Sequence, residues 1–384
     1  MSICKGVREV GFFDCAGGGQ VMVEGNYAYI GHITGPDGTT IVDVSDPKHP
    51  RKVAELRIED VGIRSHKARA ANGVMLVNYE IDPMVKVPAL HNLSGKGGLG
   101  IYDVSDPTRP KLITVWHCEG SGIHRFTFDG RYAYISPTMK GYRNNIVVIL
   151  DLKNPARPEE VGRWWMPGQW LEGGEKPEWK ERGAREPRCH HPIRMGDRLY
   201  VSYWHGGGYI LDISDISKPK WLSTIDWSPP FPWPTHSLVP IPFAIHGHKW
   251  MLVADEDVLP KEHGSVFGMP AALWMVNITD ERKPVPVGSY QVEGVDGDPK
   301  TPQNTGCHQP VEEIRGNEVP CAWFAQGLRI LDISNPHNLR EVASYMPDPA
   351  PGAKRVSSND VFQDDRGLIY LIDRVRGMHI VERT

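Results

Sequence analysis

The stretch GLGIYDVSDPTRPKLITVW, residues 98–116, decides the fold. A short apolar run leads into DVSDP at 103–107, and a second run follows Pro110. An aspartate can cap its own backbone two residues on, and proline presets φ, so the centre is a turn with a strand on each side. The phrase recurs at 38–56 (GTTIVDVSDPKHPRKVAEL), 145–164 (NIVVILDLKNPARPEEVGRW), 207–225 (GGYILDISDISKPKWLSTI), 272–290 (ALWMVNITDERKPVPVGSY) and 327–345 (GLRILDISNPHNLREVASY). A seventh copy starts as GMHIVERT at 377–384. Successive copies lie about 48 to 65 residues apart, the length of a four-stranded propeller blade.

The strands flanking each turn are here called c and d. Upstream of c lies a hairpin a–b, clearest in QVMVEGNYAYIG at 20–31 and HRFTFDGRYAYIS at 124–136. Their Gly25-Asn26 and Asp129-Gly130 turns are strong hairpin signals. The expected fold is all-β: one seven-bladed β-propeller spanning residues 1–384. The seventh copy lacks a d strand, and residues 7–14, VREVGFFD, read like the other d strands. They are expected to complete the blade formed by 357–383, which leaves no open edge.

On this c–d phrase the chain resembles the LVIVD-repeat family of β-propellers. The resemblance implies architecture and says little about chemistry, because one fold hosts many functions.

Composition excludes some function classes. Charged residues are 23% of the chain and the formal net charge is -4, with no basic stripe for nucleic acid. No 18-residue apolar run exists, and the N-terminus carries no signal-peptide run, so a cytoplasmic protein without a membrane partner is expected. Six cysteines at 4, 15, 118, 189, 307 and 321 have no Cys-x-x-Cys spacing and read as free thiols. No Gly-x-Ser-x-Gly elbow and no phosphate-binding loop is present.

Histidines carry the chemical signal. In a propeller the a strand lines the channel and its first residue sits at one mouth. Five blades start strand a at or beside a histidine: His66, His124, His190 (followed by His191), His236 and His308. The sixth such place holds Asn359 and Asp360, the seventh Gly19 and Gln20. The distance from histidine to the following turn glycine varies from six to eleven residues, so the sequence leaves their common level open. A single histidine at a strand start is ordinarily a satisfied polar residue. Five at equivalent places point to a divalent transition metal, with Mn, Fe, Zn and Cu all suiting imidazole ligands.

Long insertions at 81–98, 167–188, 228–235, 258–270 and 294–306 fall on the same face. They and the b-strand ends supply Trp170, Arg185, Arg188, Trp233 and His205 as substrate contacts. Glu80, Glu256 and His191 are the candidate acid/base or ligand-orienting groups. The expected function is a metal-dependent lyase or hydrolase acting on a small polar, sugar-like or aromatic acid. Oligogalacturonate lyases are similar in the type of site. The alternatives are a non-haem metal oxidoreductase, as in carotenoid cleavage oxygenases and selenium-binding proteins, and a binding scaffold without chemistry.

Overall fold

The computed structural model describes residues 2–33, 35–60, 62–82, 95–179, 186–228, 230–256, 271–292 and 306–384. The described residues form seven antiparallel sheets and no helix. Six sheets follow the chain as a–b–c–d blades. The first is Gly18–Glu24, Tyr27–His32, Asp37–Asp43 and Arg51–Arg57. The seventh takes a, b and c from Ser358–Gln363, Ile369–Asp373 and Gly377–Arg383, and d from Val7–Asp14. That pairing runs from Val7 opposite Arg383 to Asp14 opposite Gly377.

The repeat phrase works through side-chain caps. Asp43, Asp103, Asp212 and Asp332 each accept the backbone N–H of the serine two residues on, at 2.8–2.9 Å. Asp151 and Asn277 do the same for Lys153 and Thr279. A second cap follows in each turn, such as Asp46 to Lys48 and Asp106 to Thr108. Local hydrogen bonds therefore fix the c–d turn before any packing is made.

The b and c strands pack against neighbouring blades on both faces, so they run apolar without alternation. Val147, Val148, Ile149 and Leu150 are all fully buried. Outer strands approach the next blade's turn closely. A side chain at Gly162 would collide with the Ile216 carbonyl, and one at Gly288 with that of Pro336. Gly11 stands in the same relation to Pro47, so the N-terminal strand packs on the first blade as any d strand packs on its successor.

One element has no counterpart in the sequence reading. Ile3–Lys5 adds a fifth strand to the sixth blade, paired with Arg340–Met346. Glu9 and Tyr345 both hydrogen-bond His379 Nδ1, at 2.8 and 3.0 Å, and tie these last two blades together. Deleting residues 1–14 removes both N-terminal strands and re-exposes two sheet edges. Thermal denaturation of that deletion is expected to show a large loss of stability; an unchanged melting temperature would contradict the pairing.

Candidate functional site at the channel mouth

The five histidines lie at one level. Consecutive ring centroids are 4.9 Å apart for His66–His124, 4.7 Å for His124–His190, 4.4 Å for His190–His236 and 4.2 Å for His236–His308. Asn359 and Gly19 close the circle: the Asn359 amide donates to the Gly19 carbonyl, and a Cβ at Gly19 would lie 2.9 Å from that of His66. The level is set by irregularities in strand a. The register shifts between Gly18 and Gln20, Ile123 and Phe126, Thr235 and Ser237, and Ser358 and Asp360. In the second blade strand a is split into Ile63–Arg64 and Ala68–Ala71, with His66 in the gap. An extra residue at a bulge re-aims its side chain, which is how strands of unequal hairpin length deliver their histidines to one plane.

All five rings are buried. Their outer nitrogens have defined partners. His190 Nδ1 donates to the His236 carbonyl at 2.9 Å, and His308 Nδ1 donates to the Asn359 carbonyl. His124 Nδ1 donates to Glu80 at 2.8 Å. Each of these three rings, when neutral, thus keeps a lone pair on Nε2. His236 shares Nδ1 with Ser237 Oγ at 2.7 Å, and its buried Nε2 has no hydrogen-bond partner. His66 differs. Its Nδ1 accepts from Asn78 Nδ2 at 3.1 Å, while Asn78 is oriented by bonds to Lys67 N and the Ile123 carbonyl. His66 Nε2 therefore carries the proton, and it too lacks a partner.

Two carboxylates enter this level. Glu80 Oε2 is held by Arg64 at 2.7 and 2.9 Å. Glu256 accepts the Trp204 indole N–H at 2.8 Å and lies 3.6 Å from His308 Nε2. Burial pushes the Glu256 carboxyl up, against the opposing pull of the Trp204 bond and of Arg125, Arg374 and Arg188. Two groups, His66–Glu80–His124 and His190–His236–Glu256, each place three ligand atoms within 4.8 Å of one another and could hold a metal ion. Arg64 already neutralises Glu80, so the second group is the better cation site. Its imidazole, imidazole, carboxylate set fits zinc and iron alike.

Beneath the histidines lies a second polar level made by the next residue of each strand: Gln20, Lys67, Arg125, His191, Ser237, Gln309 and Asp360. The sequence reading put His191 with the mouth as an acid/base. The structure places it in this lower level, fully buried, with Nε2 accepting from Lys67 Nζ at 2.9 Å. Chain alternation is the cause, since His190 takes the upper place. Lys67 also bonds Glu312 at 3.0 Å, and Glu312 pairs with Arg69. The channel thus holds a hydrogen-bonded polar layer. On the opposite face, Glu312 and Arg69 line a cleft of about 370 Å³.

The other expected contacts separate. Arg188 stacks over the Trp204 ring at 4.2 Å, with Trp204 itself parallel to His190. His205 is buried behind Trp204, edge-on to it. Trp233 is 2% exposed, so it serves to hold its loop down. Trp170 is exposed on a platform with Tyr142 and Trp165, held by Glu175, which bonds the Trp165 indole and the Trp170 amide. Arg185 and the insertion 258–270 lie outside the described residues. The described part of 167–188 is anchored on this face: Glu186 binds Arg143 and Asn144, beside the His190 strand. The sequence reading did not assign Arg64, Trp204 and Phe324 to the site, and it placed Arg374 on this face among the b-strand ends without a role. All four stand at or beside b-strand ends or strand-a starts on this same face, which is the signal that could have found them.

Together these observations define a β-propeller with a histidine-lined channel mouth and buried His/Glu groups that could bind a metal. The LVIVD repeat matches residues 18–55, 94–116, 127–165, 195–226 and 315–347, and the chain is an LVIVD-repeat β-propeller. Curated protein sequences yield no match. Among solved structures it is similar in fold to U3-55K (TM-score 0.64, 8% identity, 98% of each chain covered). It is likewise similar to Saccharomyces cerevisiae Sqt1 (0.57, 11%, 95% of this chain and 85% of that one). A putative 6-phosphogluconolactonase from Bacteroides uniformis is a third (0.57, 9%, 84% of each). Identities this low speak to fold alone. Among the described residues no helix is long and apolar enough to cross a membrane.

The buried imidazoles give a pH prediction. His66, His124, His190, His191, His236 and His308 are all held well below the usual imidazole range, by burial first and by nearby cations second. Below about pH 6.5 the unfolded chain binds protons that the folded one refuses. Each histidine then removes up to about 1.4 kcal/mol of stability per pH unit. Asp360, pushed up to about 6, and Glu256 act with the opposite sign, but they are two against six. Chelator-treated protein is expected to lose melting temperature steadily from pH 7 to 5. A flat or rising profile would contradict the neutral cluster.

Proposed function

We propose that the mouth is the active centre of a metal-dependent enzyme, with a divalent transition metal held by His190, His236, His308 and Glu256. One observation carries this: the adjacent buried imidazoles of His190 and His308 give Nδ1–H to backbone carbonyls, which keeps their Nε2 lone pairs available beside His236 and the Glu256 carboxylate. Buried polar atoms left unpaired are costly, and a shared cation answers several at once. Second-shell bonds of the Nδ1–H to carbonyl kind are those that orient ligand histidines.

A metal bound there supplies Lewis acidity toward a carbonyl or carboxylate oxygen. The chain's own residues supply the proton handling. His66 presents an Nε2–H on the same level, and Glu80 fixes the orientation of His124 between Arg64 and the ring. An oriented donor beside a polarised substrate favours lyase or hydrolase chemistry on a small polar acid. The oxidoreductase reading is the second, supported by the two-histidine, one-carboxylate group His190–His236–Glu256, a donor set also used by non-haem iron.

Metal analysis of protein purified without added metal tests the proposal. About one equivalent of metal is expected, lost in His190→Ala, His236→Ala and His308→Ala variants that still fold, because the blades carry the core. His246→Ala and His248→Ala, in a turn on the opposite face, are expected to keep it. Absence of stoichiometric metal, with no thermal stabilisation by Mn, Fe, Zn or Cu, would overturn the proposal in favour of a scaffold. Iron with oxygen uptake would select the second reading.

A further inference from the structure

The same backbone turn follows strand b in the fourth and sixth blades. Tyr203 N–H donates to the Gly207 carbonyl at 2.7 Å, and Trp323 N–H to that of Gly327 at 2.8 Å. The next residues are Trp204 and Phe324. Their carbonyls accept the N–H of Thr235 and Ser358, the first residue of the following blade's strand a, both at 2.9 Å. Both hold positive φ, 47° and 34°. Bulky residues rarely adopt that conformation, and it clusters at sites where a side chain must be aimed. Trp204 is aimed at His190, parallel to it at 6° with 5.8 Å between centroids. Phe324 packs on His308 at 4.5 Å.

Trp204 has what a phenylalanine lacks, an indole N–H, and it donates to Glu256 Oε2 at 2.8 Å. The other carboxylate oxygen, Oε1, lies 3.6 Å from His308 Nε2. Glu256 is buried and follows strand b of the fifth blade, where its backbone N–H is held by the Pro234 carbonyl at 2.9 Å. One side chain therefore touches two of the four groups proposed to hold the metal. The parallel indole fixes the ring plane of His190, whose Nδ1–H is already tied to the His236 carbonyl. The indole N–H occupies one oxygen of Glu256 and leaves the other for coordination. Trp204 is not itself a ligand, since an indole N–H only donates.

We infer that Trp204 is the positioning residue of this centre: it sets the plane of His190 and confines Glu256 to a single coordinating oxygen, Oε1. The inference rests on the metal reading above and names the residue that shapes its ligand set. A carboxylate binding through both oxygens would take a further coordination place. One held by the indole leaves that place to substrate or water, as a catalytic rather than a structural site requires. Outer contacts of this kind to ligating carboxylates and imidazoles are worth about 10- to 100-fold in metal affinity.

Cobalt(II) titration of the metal-stripped full chain, followed by its visible ligand-field bands, tests this. Trp204→Phe gives the fourth blade the residue that the sixth carries in the same turn, so an aromatic ring is kept and the N–H is lost. This variant is expected to bind cobalt about 10- to 100-fold more weakly. Its ligand-field bands should be displaced from those of wild type, because Glu256 no longer has one oxygen tied. Trp221→Phe, on the outer strand of the same blade, should change neither affinity nor bands. Melting curves of the metal-free variants check that they fold, and Trp204→Tyr carries the comparison if the phenylalanine variant does not. A Trp204→Phe protein with wild-type affinity and wild-type bands would overturn the inference and leave the metal centre standing. Wild type that binds no cobalt would remove the metal reading first, and this inference with it.

Discussion

Five imidazoles packed ring to ring around one axis, 4.2 to 4.9 Å apart, cannot all carry charge. Convergence of the inner strands forces this crowding, and burial removes the water that would pay for protonation. The rings are therefore neutral, and each must dispose of one N–H and one lone pair. The backbone carbonyls of the next blade take the N–H of His190 and His308, which turns the remaining lone pairs inward. Neighbouring blades thereby present candidate metal ligands side by side. The same crowding explains the glycine at position 19, where a side chain would strike His66.

Much of this was legible in the sequence because it rests on local rules. The Asp caps of the c–d turns need only residues i and i+2, and they repeat by type even where Asn277 replaces aspartate. The closing strand showed itself by likeness to other d strands, down to Gly11 in the place of Gly162. Ile3–Lys5 could not be seen, since three residues carry no period. The level of the histidines could not be read from distances to turn glycines, because bulges absorb the difference strand by strand. His191 was misplaced for a related reason: adjacent residues of an inner strand serve successive levels, and only one of His190 and His191 reaches the mouth. Trp233 looked like a contact because its loop faces the mouth, but a long loop needs its own core and the ring supplies it.

The two polar levels divide the labour. The upper one offers unpaired ring nitrogens and a carboxylate to whatever enters. The lower one is bonded within itself through Lys67, His191, Glu312, Gln309 and Arg125, which ties together the strands that carry the upper. Buried polar networks of this kind are high-stakes, and orphaned atoms fall on both levels: His66 Nε2 and His236 Nε2 above, Arg125 Nε, His191 Nδ1 and Asp360 Oδ1 below.

The account turns on ring tautomers, which nitrogen-15 NMR of selectively labelled histidine reads directly in the metal-free protein at neutral pH. His124, His190 and His308 are predicted to be protonated on Nδ1 with a bare Nε2, and His66 to show the reverse, protonated on Nε2. On zinc addition the Nε2 signals of His190 and His308 should move and that of His66 should not. Nε2-protonated rings at His124, His190 and His308, or imidazolium at any of them, would contradict the inward-facing lone pairs on which the site depends.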